Sequence, residues 1–132
     1  MRGLALRDQS HPALRQAADQ LGGPLGVNDF LRATWRIVPD PYDVEFISSP
    51  VRQLALLSER GYLAGDCDDA ATLAASILAA GGWGCTLVAI RLHGYPEFSH
   101  VFCRTPEIDI DPIVPATALP ITNYAETLEV SL

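Results

Sequence analysis

The chain has 132 residues, and 48% of them are hydrophobic. This is the size of one ordinary domain, with enough apolar material for a core that needs no metal or disulfide cross-links. We therefore expect a single domain over residues 1–132. The formal net charge is −7, and the chain contains only nine Lys and Arg residues. Such a balance argues against nucleic acid as a partner, because nucleic-acid binders concentrate positive charge.

The sequence lacks the signals of export and of membrane insertion. Residues 1–20 contain no continuous apolar run, and the longest apolar stretch, residues 70–80, is interrupted by Thr72 and Ser76. Both segments are unsuited to cross a bilayer. The three cysteines are an odd number with no close pair along the chain, which favours a reducing compartment. The sequence thus predicts a soluble, cytoplasmic protein without a membrane partner.

Helices are predicted in the first half of the chain. Apolar side chains recur at helical spacing over residues 11–21, before a Gly-Gly-Pro stop. A second helix is expected over about residues 28–35, with Asn28 as its cap. Two prolines predict an irregular segment over residues 38–49. A third helix is expected over about residues 50–60, where a serine cap precedes a proline and a glycine follows.

The second half combines one buried helix with strands. Residues 67–80 are apolar on nearly all sides, which predicts a buried helix. Residues 85–92 are typical of a strand, and residues 98–104 predict its antiparallel partner after a turn. Residues 107–111 form a short third predicted strand, and the tail beyond it is expected to wrap the surface. The order of these elements predicts an α+β fold.

Cys67 is the first candidate for chemistry. At the first turn of the buried helix, free backbone amides and the helix dipole favour a thiolate and can donate to an oxyanion. A thiolate at Cys67 is disfavoured by the negative charges of Asp66, Asp68 and Asp69, unless a cation such as a protonated His100 lies closer to the sulfur. The alternative is a structural one, in which the carboxylates cap the helix and the cysteine is buried. Burying a cysteine flanked by three carboxylates is costly, which favours a functional Cys67.

His100 and two carboxylates could complete a thiol site. Strand alternation places His100 on the same face as Phe98 and Phe102, where a histidine is commonly a hydrogen-bonded core residue. In the third strand, Asp109 and Asp111 point the same way, so both could orient an imidazole. The sequence pattern alone does not show which of the two carboxylates orients the imidazole.

Metal sites are weaker interpretations of the same residues. Zinc would need Cys67, Cys85, His100 and Cys103, but the chain has no Cys-x-x-Cys pair, and alternation turns His100 and Cys103 to opposite faces. The acidic cluster around Cys67 lacks the glycine and the distal glutamate of an EF-hand loop. We therefore expect neither a metal nor a cofactor.

Three segments together carry a family resemblance. They are Gly65-Asp66-Cys67-Asp68-Asp69 before an apolar helix, Ser99-His100-Val101 on the next hairpin, and Asp111-Pro112 after the following strand. In this order the chain resembles the transglutaminase-like superfamily of papain-like cysteine enzymes over about residues 46–114. It is most similar to small stand-alone proteins of bacteria and their phages.

The resemblance implies both a fold and a triad. In such a fold, the Cys-bearing helix packs on a small antiparallel sheet that carries the His and the Asp, here with additional N-terminal helices. Cys67 would be the nucleophile, His100 the general base and acid, and Asp111, rather than Asp109, the residue that orients the imidazole. Trp35 and Tyr62 are candidates to line the site. No Gln lies a few residues before the cysteine, so the oxyanion donor beyond the Cys67 amide stays open.

The implied function is cysteine-dependent acyl transfer at a peptide or isopeptide bond, by a peptidase, an amidase or a transglutaminase. Peptides or proteins would be its substrates. The alternative is a non-catalytic structural or assembly module on the same scaffold, for example in a phage particle. A phage-encoded protein would be associated with the virion. The sequence sets neither the substrate nor the oligomeric state.

Overall fold

The structure is a computed structural model that describes Gly3 and residues 10–38, 49–114 and 124–132. In chain order these contain α1 (Pro12–Leu21), α2 (Pro24–Thr34), β1 (Trp35–Ile37), α3 (Pro50–Arg60), β2 (Leu63–Gly65), α4 (Cys67–Ala80), β3 (Thr86–Arg91), β4 (His100–Arg104), β5 (Asp109–Ile110) and β6 (Glu126–Ser131). The elements confirm the α+β class. No helix in the described part of the chain is long and apolar enough to span a bilayer.

Helix α4 is the centre of the fold. Residues 69–78 are buried without interruption, because the helix packs against β4 on one side and against α1, α2 and α3 on the others. An all-round apolar helix is stable only in such surroundings, as its sequence predicts. The amino end of α4, which carries Cys67, lies where these layers meet the short strand β2.

A four-stranded antiparallel sheet with the order β5-β4-β3-β6 covers α4. The register pairs Leu87 with Cys103 and Ala89 with Val101, and these side chains belong to the core around α4. The alternate residues Val88, Ile90 and Phe102 form a second apolar cluster. The β3–β4 hairpin and its alternation of faces are thus confirmed.

Some predicted elements are wrong or incomplete. Helix α2 begins at Pro24, with Gly23 as its cap, so Asn28 lies inside the helix. The end of the tail forms β6 along β3 instead of wrapping the surface. The three-residue strands β1 and β2, which pair in parallel, were not predicted at all. Most of residues 1–9, together with residues 39–48 and 115–123, lies outside the described part of the chain.

Candidate active site

Local hydrogen bonds fix the turn that carries Cys67. Asp66 is the cap of α4, and its Oδ1 accepts from the amides of Asp68 at 3.1 Å and Asp69 at 3.5 Å. In return, Oδ2 of Asp69 accepts from the Asp66 amide at 3.1 Å. This reciprocal capping box pairs several of the amides that a helix start leaves open. It holds the half-buried Cys67 at the first position of the helix.

Gly65 is required directly before this turn. Its φ is +151°, and a Cβ there would lie 2.3 Å from Oδ2 of Asp69, so a side chain would collide with the capping box. Its carbonyl accepts hydrogen bonds from the Val38 amide at 2.9 Å and from the Trp35 indole at 3.2 Å. Strand β1 therefore braces the loop that precedes Cys67, and the Trp35 indole contacts this loop.

His100 is the first residue of β4 and lies against Asp111. Its Nε2 forms a short hydrogen bond with Oδ2 of Asp111, and the two side chains are only 13% and 1% exposed. The other carboxylate oxygen, Oδ1, accepts from the Ile113 amide at 3.1 Å. The imidazole also stacks on Phe102, with 6.2 Å between ring centroids. Both the ring and the carboxylate are therefore held in one orientation.

The charge state of His100 follows from its neighbours. Burial by itself lowers the pKa of the imidazole, but hydrogen bonds to Asp111 and Cys67, with the charges of both, outweigh it and raise the pKa to about 10. Because Nε2 faces Asp111, Nδ1 is the ring nitrogen that remains for the sulfur. At neutral pH this arrangement supports an imidazolium beside the sulfur, which is the cation that a thiolate needs.

Asp109, the other candidate carboxylate, lies in β5 and has a different partner. Asp109 accepts hydrogen bonds from Arg104 at 2.8 and 3.2 Å, and its side chain is 5% exposed. Asp109 is thus engaged with a guanidinium, whereas Asp111 contacts the imidazole. The alternation of side chains along the strand could not separate these two residues.

The remaining cysteines lie together in the core. Cys85 and Cys103 are buried, and a hydrogen bond between them is the main cause that raises the pKa of Cys103 and lowers that of Cys85. The close pair that the chain spacing did not reveal therefore exists in space. Within the described ranges, no group of three or more His, Cys, Asp or Glu side chains could hold a metal ion.

Two residues near the site escaped the sequence analysis. Gln53 is buried in α3, where its amide nitrogen donates to the Ala64 carbonyl of β2 at 2.8 Å. Arg32, in the last turn of α2, donates to the carbonyl of Asp111 at 2.8 Å. Tyr62, in contrast, lies under the guanidinium groups of Arg36 and Arg60, at 3.9 and 4.5 Å from its ring centroid. Its described contacts are structural.

A groove of about 480 Å³ lies elsewhere on the molecule, between α1, α2 and α3. Its lining includes Leu21, Phe30 and Leu54, and none of the three triad candidates. A site assigned only from this groove would therefore not include Cys67 or His100.

Neither family models nor curated proteins give a match. Among solved structures, calcium-bound LapG of Legionella pneumophila is similar, with 20% identity and a TM-score of 0.53 over 86% of this chain and 70% of LapG. Two further LapG structures, one of them EGTA-treated, have 18% identity and a TM-score of 0.48 over 96% of this chain and 71% and 69% of theirs. LapG is a transglutaminase-like cysteine protease. The first likeness shows that this chain has the papain-like, transglutaminase-like fold, which confirms the predicted architecture.

Proposed function

We propose that this protein is a cysteine-dependent acyl-transfer enzyme that acts on peptide or isopeptide amide bonds. Cys67 is the nucleophile, His100 the general acid and base, and Asp111 the orienting carboxylate. One observation carries the proposal: Asp111 forms a hydrogen bond with the His100 ring, and Cys67 lies close enough to the same ring to help raise the pKa of the imidazole. The fold shared with the protease LapG supports peptide or protein substrates.

The first half of the reaction forms a thioester. The thiolate of Cys67 attacks the amide carbonyl, so that a carbon–sulfur bond forms and the oxygen becomes an oxyanion. When the carbonyl re-forms, the carbon–nitrogen bond breaks, and the leaving amine takes a proton from the imidazolium of His100. Asp111 stabilises the imidazolium and holds the ring so that the opposite nitrogen faces the sulfur.

The second half resolves the thioester. Neutral His100 accepts a proton from water or from an acceptor amine, which attacks the carbonyl and releases the thiolate. Water gives hydrolysis, and an amine gives transfer. Both routes use the same residues, so the triad supports a peptidase, an amidase or a transglutaminase.

The helix start supplies a donor for the oxyanion. Asp66 already accepts from the amides of Asp68 and Asp69, whereas the Cys67 amide adjoins the reacting sulfur. An amide at this position donates toward the carbonyl that the sulfur attacks, and the positive end of the helix dipole favours the negative oxygen.

Thiol alkylation tests the nucleophile without knowledge of the substrate. Iodoacetamide is added near neutral pH, and the modification of each cysteine is followed by peptide mass spectrometry. Cys67 should react at least about tenfold faster than Cys85 and Cys103, because its side chain is only half-buried and lies beside His100, whereas the other two are buried. His100→Ala should slow the labelling of Cys67.

The matched control is His93→Ala, because His93 is exposed in the turn before β4. This variant should label as the wild type does. Each series is run with calcium and with EGTA, since one of the similar structures is calcium-bound. Equally slow labelling of all three cysteines under both conditions would contradict the enzyme and favour a structural or assembly module.

A further inference from the structure

Arg32 ties helix α2 to the turn that contains Asp111. Its guanidinium donates to the main-chain carbonyls of Asp111 at 2.8 Å and of Val114 at 2.9 Å. These two carbonyls bracket the turn. Arg32 is separated from them by 79 and 82 residues along the chain, so the contact exists only in the folded protein.

The sheet does not hold Asp111 by itself. Strand β5 contains only Asp109 and Ile110, which pair with β4, and Asp111 follows the last paired residue. Its carboxylate is divided between the His100 ring and the Ile113 amide. The direction of the carboxylate therefore depends on the path of the turn, and the guanidinium of Arg32 spans that turn.

A basic residue in the last turn of a helix commonly does no more than complement the helix dipole. Arg32 occupies such a position in α2, but its two donated bonds go to another element. Its Nε is buried with no partner among the described residues, which is unfavourable by itself. The planar guanidinium reaches two carbonyls with separate nitrogens, a geometry that a lysine ammonium does not reproduce.

We propose that Arg32 is a positioning residue that fixes the Asp111 turn so that the carboxylate faces the His100 ring. The inference rests on the proposed function, because it assigns Arg32 to the same triad. Arg32 acts through the main chain of Asp111 and does not touch the reacting atoms. Loss of its two bonds leaves α4 and the sulfur in place and loosens the contact between carboxylate and imidazole.

The test compares Arg32→Met and Arg32→Lys with Arg15→Met, an exposed arginine of α1 that serves as control. The titration of His100 is followed by NMR, and the alkylation rate of Cys67 is measured over the same pH range. Arg32→Met should lower the pKa of His100 and slow alkylation about tenfold to a hundredfold, as a misplaced catalytic group does. Arg32→Lys, which can bind one carbonyl, should lie between Arg32→Met and the wild type, whereas Arg15→Met should match the wild type.

Thermal unfolding separates positioning from simple stability. If the Arg32 variants melt at a lower temperature but keep the wild-type titration of His100, the contact is only structural and the proposal is overturned. Should Arg32→Met not fold, the Arg32→Lys titration decides alone, and a wild-type midpoint in that variant also overturns the proposal. A wild-type Cys67 that alkylates no faster than Cys85 and Cys103 overturns the proposed function instead, while the titration still reports on Arg32.

Discussion

The two halves of the proposed site are built in different ways. The thiol half, residues 65–69, is held mainly by hydrogen bonds between neighbours in sequence, and only its first residue, Gly65, accepts bonds from the distant Trp35 and Val38. The imidazole half joins His100 to Asp111, eleven residues later, and Asp111 to Arg32, 79 residues earlier. Local contacts form with the helix itself, whereas the distant ones require the completed fold. The thiol half should therefore respond to steric changes in its own turn, and the imidazole half to charge and to changes elsewhere in the fold.

A rise in pH tests the imidazole half and gives the largest expected effect. The folded pKa of His100 is about 10, against an ordinary value of 6.5, so the protonated form stabilises the fold. This contribution is complete below about pH 6.5 and is lost as the pH rises through about 10. Between these limits, the free energy of unfolding of the wild type should fall by on the order of 5 kcal/mol relative to His100→Gln.

Urea denaturation at several pH values measures this difference. His93→Gln, at an exposed position, should retain the pH dependence of the wild type. If the wild type and His100→Gln lose stability in parallel as the pH rises, the raised pKa of His100 is refuted.

Gly65→Ala breaks the thiol half and should have the next largest effect. The new methyl group would meet Asp69 Oδ2 at 2.3 Å and Asp69 Cβ at 2.7 Å, and the backbone φ of +151° is unfavourable for alanine. Strain and loss of the capping box together should cost about 3 kcal/mol in the free energy of unfolding.

Gly84→Ala is the matched control, because a Cβ there meets no heavy atom within 4 Å. Its free energy of unfolding should stay within about 0.5 kcal/mol of the wild-type value. Chemical denaturation at neutral pH measures both variants. Equal stabilities of the two would show that the turn before Cys67 yields without strain.

The same contrast between local and distant contacts explains what the sequence could predict. Helix α4, its acidic cap and the β3–β4 hairpin were predictable, because propensity and side-chain period act over neighbouring residues. The family resemblance carried by the three motifs then implied the papain-like fold, which the likeness to LapG confirms.

Distant pairings were not predictable from single segments. Strands β1 and β2 have three residues each, too few for a period to appear, and they are defined only by pairing with each other. Strand β6 alternates Leu128 and Val130 with polar residues, which is a short period-2 signal that the sequence analysis missed, although every position of the strand is exposed. Nothing in the sequence around Arg32 indicated its contact with the Asp111 turn, apart from its position near the end of a predicted helix.

The exchange of Asp109 for Asn has the smallest expected effect and sharpens the comparison within the imidazole half. Asn keeps an oxygen for Arg104 but loses the charge of a bond made at 2.8 Å, which should cost about 1 to 2 kcal/mol in the free energy of unfolding. The alkylation rate of Cys67 should not change, because Asp109 faces Arg104 and not the imidazole.

Asp111→Asn removes the charge that stabilises the imidazolium of His100 and should slow the alkylation of Cys67 at least about tenfold.

Both rates are measured with iodoacetamide near neutral pH, beside the unfolding of each variant. Asp109 lies in β5 and Asp111 directly follows this strand, and both are nearly inaccessible to solvent, so they differ mainly in the cation that each one faces. Equal slowing by both variants would mean that negative charge near the strand, rather than a directed bond to His100, sustains the thiolate. The geometry at Asp111 would then have no special role in the reaction.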